Sequence, residues 1–158
     1  MTKVLFVCLG NICRSPMAEA VFRHKVKKAG LEASIQAASA GTGDWNLGKE
    51  PHEGTKTILD AHHISYQGMI SKLIKLEDFH DYDLIIAMDA SNVSNLRKFA
   101  ANKEDVVIRQ LLEFYPERGI TDVPDPYYTG NFDEVYEMID RSCEQLLAWI
   151  VQQEKRQT

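Results

Sequence analysis

Several features that would assign this 158-residue chain to a membrane or to an export route are missing. No run of about 18 apolar residues occurs, which excludes an ordinary membrane-spanning helix. The N-terminus has one lysine before a six-residue apolar stretch, which is too short for a secretory signal. The sequence therefore predicts a cytoplasmic protein without a membrane partner.

An excess of positive charge is also missing. The formal net charge is −5, and acidic and basic residues are interspersed along the chain. Nucleic acid repels such a surface, and no basic stripe interleaved with aromatic residues offsets the repulsion. A nucleic-acid partner is therefore not expected.

Cysteine is scarce, and no zinc-type spacing of cysteine and histidine is present. The three cysteines, Cys8, Cys13 and Cys143, are an odd number, which argues against a disulfide framework. The sequence thus predicts neither a bound metal nor a cofactor, and Cys143 is expected to be an inert core residue.

Strand-like and helix-like segments alternate along the whole chain. The predicted strands are Lys3–Cys8, Ser34–Ala38, Asp83–Met88 and Val106–Arg109. The predicted helices are Pro16–Lys28, Glu53–Ala61, Ser91–Phe99 and a long terminal helix that carries Val135, Met138, Ile139, Ser142, Leu146 and Ile150 on one face. This alternation predicts one α/β domain over residues 1–158, a three-layer sandwich whose central twisted sheet has about four parallel strands with helices on both faces.

The carboxyl ends of parallel strands meet at one edge of a sheet, where ligands bind. Cys8 and Asp89 each follow a predicted strand, and Asp125 lies in a later proline-marked loop. We expect these three side chains to converge.

The segment from Cys8 to Pro16 connects the first strand to the first helix. Ser15 followed by Pro16 is typical of a helix N-cap and first turn. Thiols at a helix N-terminus or beside an arginine ionise more readily than free cysteine. Arg14, inward-facing amides and the Ser15 hydroxyl are therefore expected to hold Cys8 as a thiolate.

The same loop is suited to a small anion. Gly10 or Asn11 can adopt the left-handed backbone that turns several N–H groups inward. A phosphoryl group would then contact these amides and the forked guanidinium of Arg14, with its phosphorus in front of Cys8. Asp125, between two prolines, is placed on a stiff loop from which it can protonate a leaving oxygen and later activate water.

The segments Cys8–Pro16 and Asp125–Tyr128 resemble the low-molecular-weight protein tyrosine phosphatases. The resemblance extends over almost the whole chain, including Ser39–Thr42 and Met88–Asn92. It implies metal-independent hydrolysis of phosphotyrosine and small aryl phosphates through a phosphocysteine, with inorganic phosphate and related oxyanions as inhibitors.

By this resemblance the catalytic residues are Cys8 as nucleophile, Arg14 as phosphate clamp and Asp125 as general acid. The loop that binds the phosphate comprises Leu9, Gly10, Asn11, Ile12, Cys13, Arg14 and Ser15. The residues expected to wall the crevice are Trp45, Tyr127 and Tyr128. The supporting network is expected to contain Asn11, Ser15, Ser39 and Asp89.

One departure from the family pattern is visible, because many relatives carry a histidine in the segment that here is Tyr66–Met69. Gly68 is assigned to that place, so the network around Asn11 is expected to be connected differently.

Some roles have two interpretations. Cys13 either forms a reversible disulfide with Cys8 that protects it from over-oxidation, or it packs beneath the loop. Tyr127 and Tyr128 either wall the crevice or serve as packing residues. The oligomeric state is predicted as a monomer or a weak self-associating species.

Two other functions remain alternatives to phosphotyrosine hydrolysis. One is a protein-arginine phosphatase on the same fold; by family resemblance those relatives carry threonine where this chain has Ile12, and the bulkier residue favours an aryl phosphate. The other is a non-catalytic phosphate-binding or redox-switch protein, against which Asp125 argues, because a binder gains little from a carboxylate facing a dianion.

Overall fold

The computed structural model describes residues 1–101 and 106–156. Its centre is a sheet of four strands: β1 (Thr2–Cys8), β2 (Ile35–Gly41), β3 (Leu84–Ala87) and β4 (Ile108–Gln110). The strand order is β2-β1-β3-β4, and every neighbouring pair is parallel. The predicted parallel sheet is confirmed.

The helices are α1 (Arg14–Lys28), α2 (Glu53–Ala61), α3 (Asp78–Asp81), α4 (Ala90–Phe99), α5 (Pro126–Thr129) and α6 (Phe132–Arg156). Two short 3₁₀ helices, Leu111–Phe114 and Pro116–Arg118, follow β4. The four-residue helices α3 and α5 were not predicted, because one turn is too short to establish a hydrophobic period. Among the described helices none is long and apolar enough to cross a bilayer.

The sheet is covered on both faces, which confirms the three layers. Val4 and Phe6 of β1 point into the larger core, formed with α1 and α6, while Leu5 and Val7 point into a smaller core that includes Leu96 of α4. A strand buried on both faces has an apolar residue at nearly every position, which explains the continuous apolar run at the start of the chain. All six positions predicted for the buried face of α6 are buried.

Two strand boundaries differ from the prediction by more than one residue. β2 runs to Gly41 rather than Ala38, because it pairs with β1 along its full length, from Thr2↔Ile35 to Cys8↔Gly41. This pairing brings Ser39 to the carboxyl edge of the sheet. β4 begins at Ile108 rather than at residue 106.

The predicted N-cap at Ser15 is wrong. α1 begins at Arg14, and Ser15 lies within its first turn and is fully buried. Its hydroxyl cannot cap the helix because it bonds Cys8 and Asn11 instead. Within the described part of the chain, no side chain caps the start of α1, so its first amides are left to face the loop.

The carboxyl edge of the sheet gathers three segments. β1 ends at Cys8, and β3 leads through Met88 to Asp89, whose carboxylate accepts a hydrogen bond from the Asn92 amide (2.8 Å) and caps α4. The loop before α5 is attached to the same edge, because Val123 N–H donates to the Met88 carbonyl (2.9 Å).

Candidate active site

The loop after β1 has its carbonyl groups tied outward. The bonds are Thr42 N to Cys8 O (3.1 Å), Gly43 N to Leu9 O (2.9 Å), Ser71 Oγ to Gly10 O (3.0 Å), His52 N to Ile12 O (2.7 Å) and Thr55 Oγ1 to Cys13 O (3.2 Å). Since surrounding segments hold the carbonyls of residues 8–10, 12 and 13, the amides between them turn to the inside of the loop. Several inward N–H groups form a concave site for an anion.

Asn11 makes the turn that this arrangement needs. Its φ of 55° lies in the left-handed region, which asparagine tolerates better than most residues. The turn brings its own amide to 3.3 Å from Cys8 Sγ, to which it donates.

A buried hydrogen-bond network lies behind the cysteine. Asn11 Nδ2 donates to Ser15 Oγ (2.7 Å) and to Ser39 Oγ (3.0 Å). Because Ser15 Oγ already accepts a proton from Asn11, its own hydroxyl hydrogen is free to point at Cys8 Sγ, 3.0 Å away. The network thus favours a donor facing the sulfur, which stabilises a thiolate.

Glu19 fixes the direction of this network, and the sequence analysis missed it. Its carboxylate accepts from Ser39 Oγ (2.7 Å), so Ser39 must accept from Asn11. The other Glu19 oxygen accepts from Arg23 (2.9 Å). The available signal was a carboxylate four residues after Ser15, on the same side of a helix whose neighbouring residues are buried.

Arg14 is fixed by three groups. Its Nη1 donates to Asp89 Oδ2 (2.7 Å) and to the Val123 carbonyl (2.9 Å), and its Nη2 lies 3.6 Å from Asp125 Oδ2. Burial alone would lower the pKa of Arg14, which is 3% exposed, but Cys8 and the hydrogen bond to Asp89 outweigh burial and raise it. A charged guanidinium is therefore held in one orientation beside Cys8. The sequence cannot indicate that the Val123 carbonyl bonds Arg14, because every residue has a backbone carbonyl.

Asp125 stands at the start of α5. One of its oxygens accepts from the Tyr127 amide (3.1 Å) and caps the helix, while the other faces Arg14. The orientation of this carboxyl therefore depends on the orientation of α5.

These groups surround one crevice of about 170 Å³. Its lining residues are Cys8, Leu9, Gly10, Ile12, Cys13, Arg14, Trp45, Asn46, Asp125, Tyr127 and Tyr128. Trp45 and Tyr128, 61% and 77% exposed, form its outer walls. Ten of the eleven were predicted for the site. Asn46 was missed; its Nδ2 approaches the Gly10 carbonyl (3.5 Å), so closely that a side chain at Gly10 would collide with it.

The remaining predicted residues lie just behind the crevice: Asn11, Ser15 and Ser39 in the network, and Asp89 on Arg14. Gly68, assigned to the place of a family histidine, is exposed in a turn with φ of 82°. Asn11 Oδ1 instead accepts from the backbone amide of Lys72 (3.0 Å), so a peptide group completes the network.

The three cysteines are free and buried. Burial, reinforced by the nearby Cys8, raises the pKa of Cys13 to about 12. Burial also raises the pKa of Cys143 in the core, well above its ordinary value. Both thiols are therefore protonated at neutral pH.

Comparison with known proteins is consistent with this site. Residues 3–157 match the family described as low molecular weight phosphotyrosine protein phosphatase. The chain is 54% identical to the low molecular weight protein-tyrosine-phosphatase YfkJ of Bacillus subtilis, covering 99% of both chains. It is 50% identical to PtpA of Staphylococcus epidermidis, covering 96% of this chain and 95% of that one.

Solved structures agree in fold. The crystal structure of YfkJ from Bacillus subtilis has a TM-score of 0.95 at 53% identity, covering 97% of this chain and 96% of that chain. The structure of an arginine phosphatase from drosophila has a TM-score of 0.87 at 36% identity, covering 94% and 98% of the two chains.

The buried thiols predict a loss of stability in alkali. An unfolded chain ionises its cysteines near pH 9.0, whereas folded Cys13 keeps its proton to about pH 12. Above pH 9 the unfolded state therefore binds fewer protons, and the free energy of unfolding falls as pH rises, by at most about 1.4 kcal/mol per pH unit for each thiol. Urea unfolding of the wild type and of Cys13→Ala from pH 7 to 10.5 measures this, and the variant should show the shallower fall above pH 9. Equal slopes would contradict the assignment.

Proposed function

The chain belongs to the low molecular weight phosphotyrosine protein phosphatase family, and we propose that it hydrolyses phosphotyrosine in proteins through a phosphocysteine at Cys8. The observation that carries this proposal is the position of Cys8 Sγ. It sits within a loop whose amides turn inward, with the charged Arg14 fixed beside it and Asp125 across the same crevice.

The phosphoryl group binds in the loop. Its three non-bridging oxygens contact the inward amides of residues 9–14 and the guanidinium of Arg14, which is pre-oriented by Asp89. These donors carry the charge of the phosphoryl group in both ground and transition states, so the reaction needs no added metal.

In the first displacement the Cys8 thiolate attacks phosphorus in line with the bond to the tyrosine oxygen. The S–P bond forms as the P–O bond breaks, and protonated Asp125 delivers its proton to the leaving phenolate oxygen. Tyrosine leaves as the neutral phenol, whose ordinary pKa near 10 makes this proton valuable.

In the second displacement Asp125, now a carboxylate, accepts a proton from a water molecule whose oxygen attacks phosphorus. The S–P bond breaks, Cys8 returns to the thiolate, and inorganic phosphate is released. The Ser15 hydroxyl and the Asn11 amide stabilise the leaving sulfur in this step, as they do in the resting enzyme. Because phosphate is the product and fits the same loop, phosphate and similar oxyanions compete with substrate.

The walls of the crevice favour an aromatic phosphoester. Trp45, Tyr127 and Tyr128 present ring surfaces above the loop, and Ile12 adds an aliphatic contact. Ring contacts of this kind stabilise a phenyl group by about 0.5–1.5 kcal/mol per pair beyond the area they bury.

The setting of this activity is the cytoplasm, where thiols stay reduced; the three free cysteines support this location. Its macromolecular partners are tyrosine-phosphorylated proteins. The chain works as a monomer, with weak self-association through exposed Tyr127 and Tyr128 as the alternative.

Removing the nucleophile or the acid should have different effects. Cys8→Ser should lower turnover of p-nitrophenyl phosphate by at least about a thousandfold, because the covalent intermediate cannot form. Asp125→Ala should lower turnover of a phosphotyrosine peptide by about a hundredfold and that of p-nitrophenyl phosphate less, because a better leaving group needs less protonation.

Initial rates of both substrates test these expectations. EDTA should leave both rates unchanged, because the reaction needs no added metal. Asp83→Ala, a carboxylate at the opposite end of β3, is the matched control and should leave both rates unchanged. Undiminished turnover by Cys8→Ser would refute the covalent route, and a phosphate-binding protein without turnover would support the non-catalytic alternative.

Phosphoarginine hydrolysis is the second candidate, favoured by the similarity to the drosophila arginine phosphatase structure. Ile12 should keep the wild type faster on phosphotyrosine peptides than on phosphoarginine peptides. Ile12→Thr should shift the ratio of the two kcat/KM values toward phosphoarginine by about tenfold, a change typical of one altered contact in a small pocket. A wild type that prefers phosphoarginine would overturn the proposed substrate.

Cys13 serves as the redox partner of Cys8 in this proposal, since both sulfur-bearing residues line one crevice. Peroxide oxidises the Cys8 thiolate to a sulfenic acid, and the Cys13 thiol then displaces water to form a disulfide. Inactivation of the wild type by peroxide should reverse with dithiothreitol, whereas that of Cys13→Ser should become irreversible as Cys8 over-oxidises. Equal recovery in both would remove Cys13 from this role and leave it as a packing residue.

A further inference from the structure

A row of aromatic rings runs from the start of α6 to the mouth of the crevice. The His52 ring stacks on Phe132, with centroids 5.2 Å apart and planes 17° apart. The edge-on neighbour of His52 is Tyr127 at 5.8 Å, and Tyr128 follows Tyr127 at 5.2 Å. We call these four residues, Phe132, His52, Tyr127 and Tyr128, the aromatic row.

His52 is also bonded to both neighbouring segments through its polar groups. Its backbone N–H donates to the carbonyl of Ile12 in the phosphate-binding loop (2.7 Å). Its Nδ1 accepts from the Gly54 amide (3.0 Å) and so caps α2. An accepting Nδ1 requires the neutral imidazole with its proton on Nε2.

Gly54 leaves the space that the contact between His52 and Phe132 requires. A Cβ at Gly54 would overlap the ring of Phe132, so only glycine lets that ring lie flat against the start of α2. Glycine is otherwise a poor helix former compared with alanine. Gly54 has an ordinary negative φ, so no backbone turn explains its presence.

The row adds to the contacts that hold α5, which include the buried Pro126 at the start of that helix. α5 is one turn long, and its Tyr127 and Tyr128 side chains are largely exposed. Asp125 caps that turn through the Tyr127 amide, so a tilt of Tyr127 moves the carboxyl of Asp125. His52 contacts Tyr127 on one side and bonds the phosphate-binding loop on the other. It therefore links the segment that holds Asp125 to the segment that holds Cys8.

We propose that His52 is a positioning residue that sets Asp125 and Tyr127 at their working distance from the phosphate-binding loop. This inference rests on the proposed phosphatase function. His52 touches no reacting atom; it acts through the ring of Tyr127. Its ring supplies the positioning, and its Nδ1 supplies only the stability of α2.

Two substitutions separate these contributions. His52→Phe keeps a ring and loses the cap, so it should retain kcat/KM within about twofold while its melting temperature falls by about 3 °C. His52→Asn keeps a capping oxygen and loses the ring, so its melting temperature should stay near that of the wild type. Its kcat/KM should fall about tenfold on a phosphotyrosine peptide and about threefold on p-nitrophenyl phosphate.

The difference between the losses of kcat/KM on the two substrates shows whether the acid is misplaced. A misplaced acid affects the poorer leaving group more, whereas general loosening of the fold lowers both rates alike. Gly54→Ala gives an independent test, since it displaces the Phe132 ring and keeps His52 and the cap. It should reproduce the kinetic loss of His52→Asn without loss of melting temperature, because alanine favours the helix.

His62→Ala is the matched control. His62 lies at the other end of α2, ten residues after His52, and stacks on Tyr136 of α6 (4.0 Å between centroids). It should leave both rates unchanged. The ring protons of Tyr127 give a readout independent of turnover: their NMR shifts should move in His52→Asn and Gly54→Ala but hardly in His52→Phe or His62→Ala.

The outcomes distinguish this inference from the proposed function. A wild type without turnover on either aryl phosphate refutes the phosphatase assignment, while the Tyr127 shifts still report on the row. An active wild type whose His52→Asn and Gly54→Ala variants keep its rates and its Tyr127 shifts overturns the role of His52. Equal losses on both substrates would also overturn it, because they indicate a structural defect alone.

Discussion

The outward anchoring of the carbonyl groups of residues 8–10, 12 and 13 is the constraint on which the rest of the site depends. A loop that binds an anion through its amides must direct its carbonyls elsewhere, and each carbonyl left without a partner in a buried place costs about 1–3 kcal/mol. Here five surrounding positions supply the donors: Thr42, Gly43, Ser71, His52 and Thr55. These donors lie at residues 42–71, far along the chain from the loop, so the shape of the loop depends on long-range contacts.

The buried polar network extends the same constraint to the sulfur. The donor in each hydrogen bond of this network is fixed, because the Glu19 carboxylate at its end can only accept. Ser39 therefore donates to Glu19, and Asn11 donates to both Ser39 and Ser15. The last hydroxyl therefore faces Cys8 as a donor. A charged residue more than ten positions along the chain thus determines the environment of the Cys8 sulfur.

Much of the fold was predictable from the sequence because β1 is a continuous apolar run, α6 carries a strong helical period, and the order of segments implied a parallel sheet. Cys8, Arg14 and Asp125 were predictable because they are chemically distinctive, whereas the walls of the crevice followed from the resemblance to a known family. The errors have physical causes as well. Ser15 has the sequence signature of a cap, but a sulfur and an amide compete for its hydroxyl.

What the sequence could not supply were contacts made by ordinary groups. The carbonyl of Val123 on Arg14 and the amide of Lys72 on Asn11 are peptide atoms, which every residue possesses. Asn46 and His52 carry no motif of their own and acquire meaning only when the loops that contain them meet residues 10–12.

The small volume of the crevice has a consequence for what can enter it. The space of about 170 Å³ is lined by Cys8 together with Trp45 and Tyr128, whose side chains are largely exposed at its rim. Under the proposed function, a phosphorylated side chain would have to extend past these two rings to reach Cys8. A phosphorylated residue on an extended tail or a protruding loop would meet this demand more readily than one packed in a helix or strand, so the flexibility of a target would limit its dephosphorylation as well as the sequence around it.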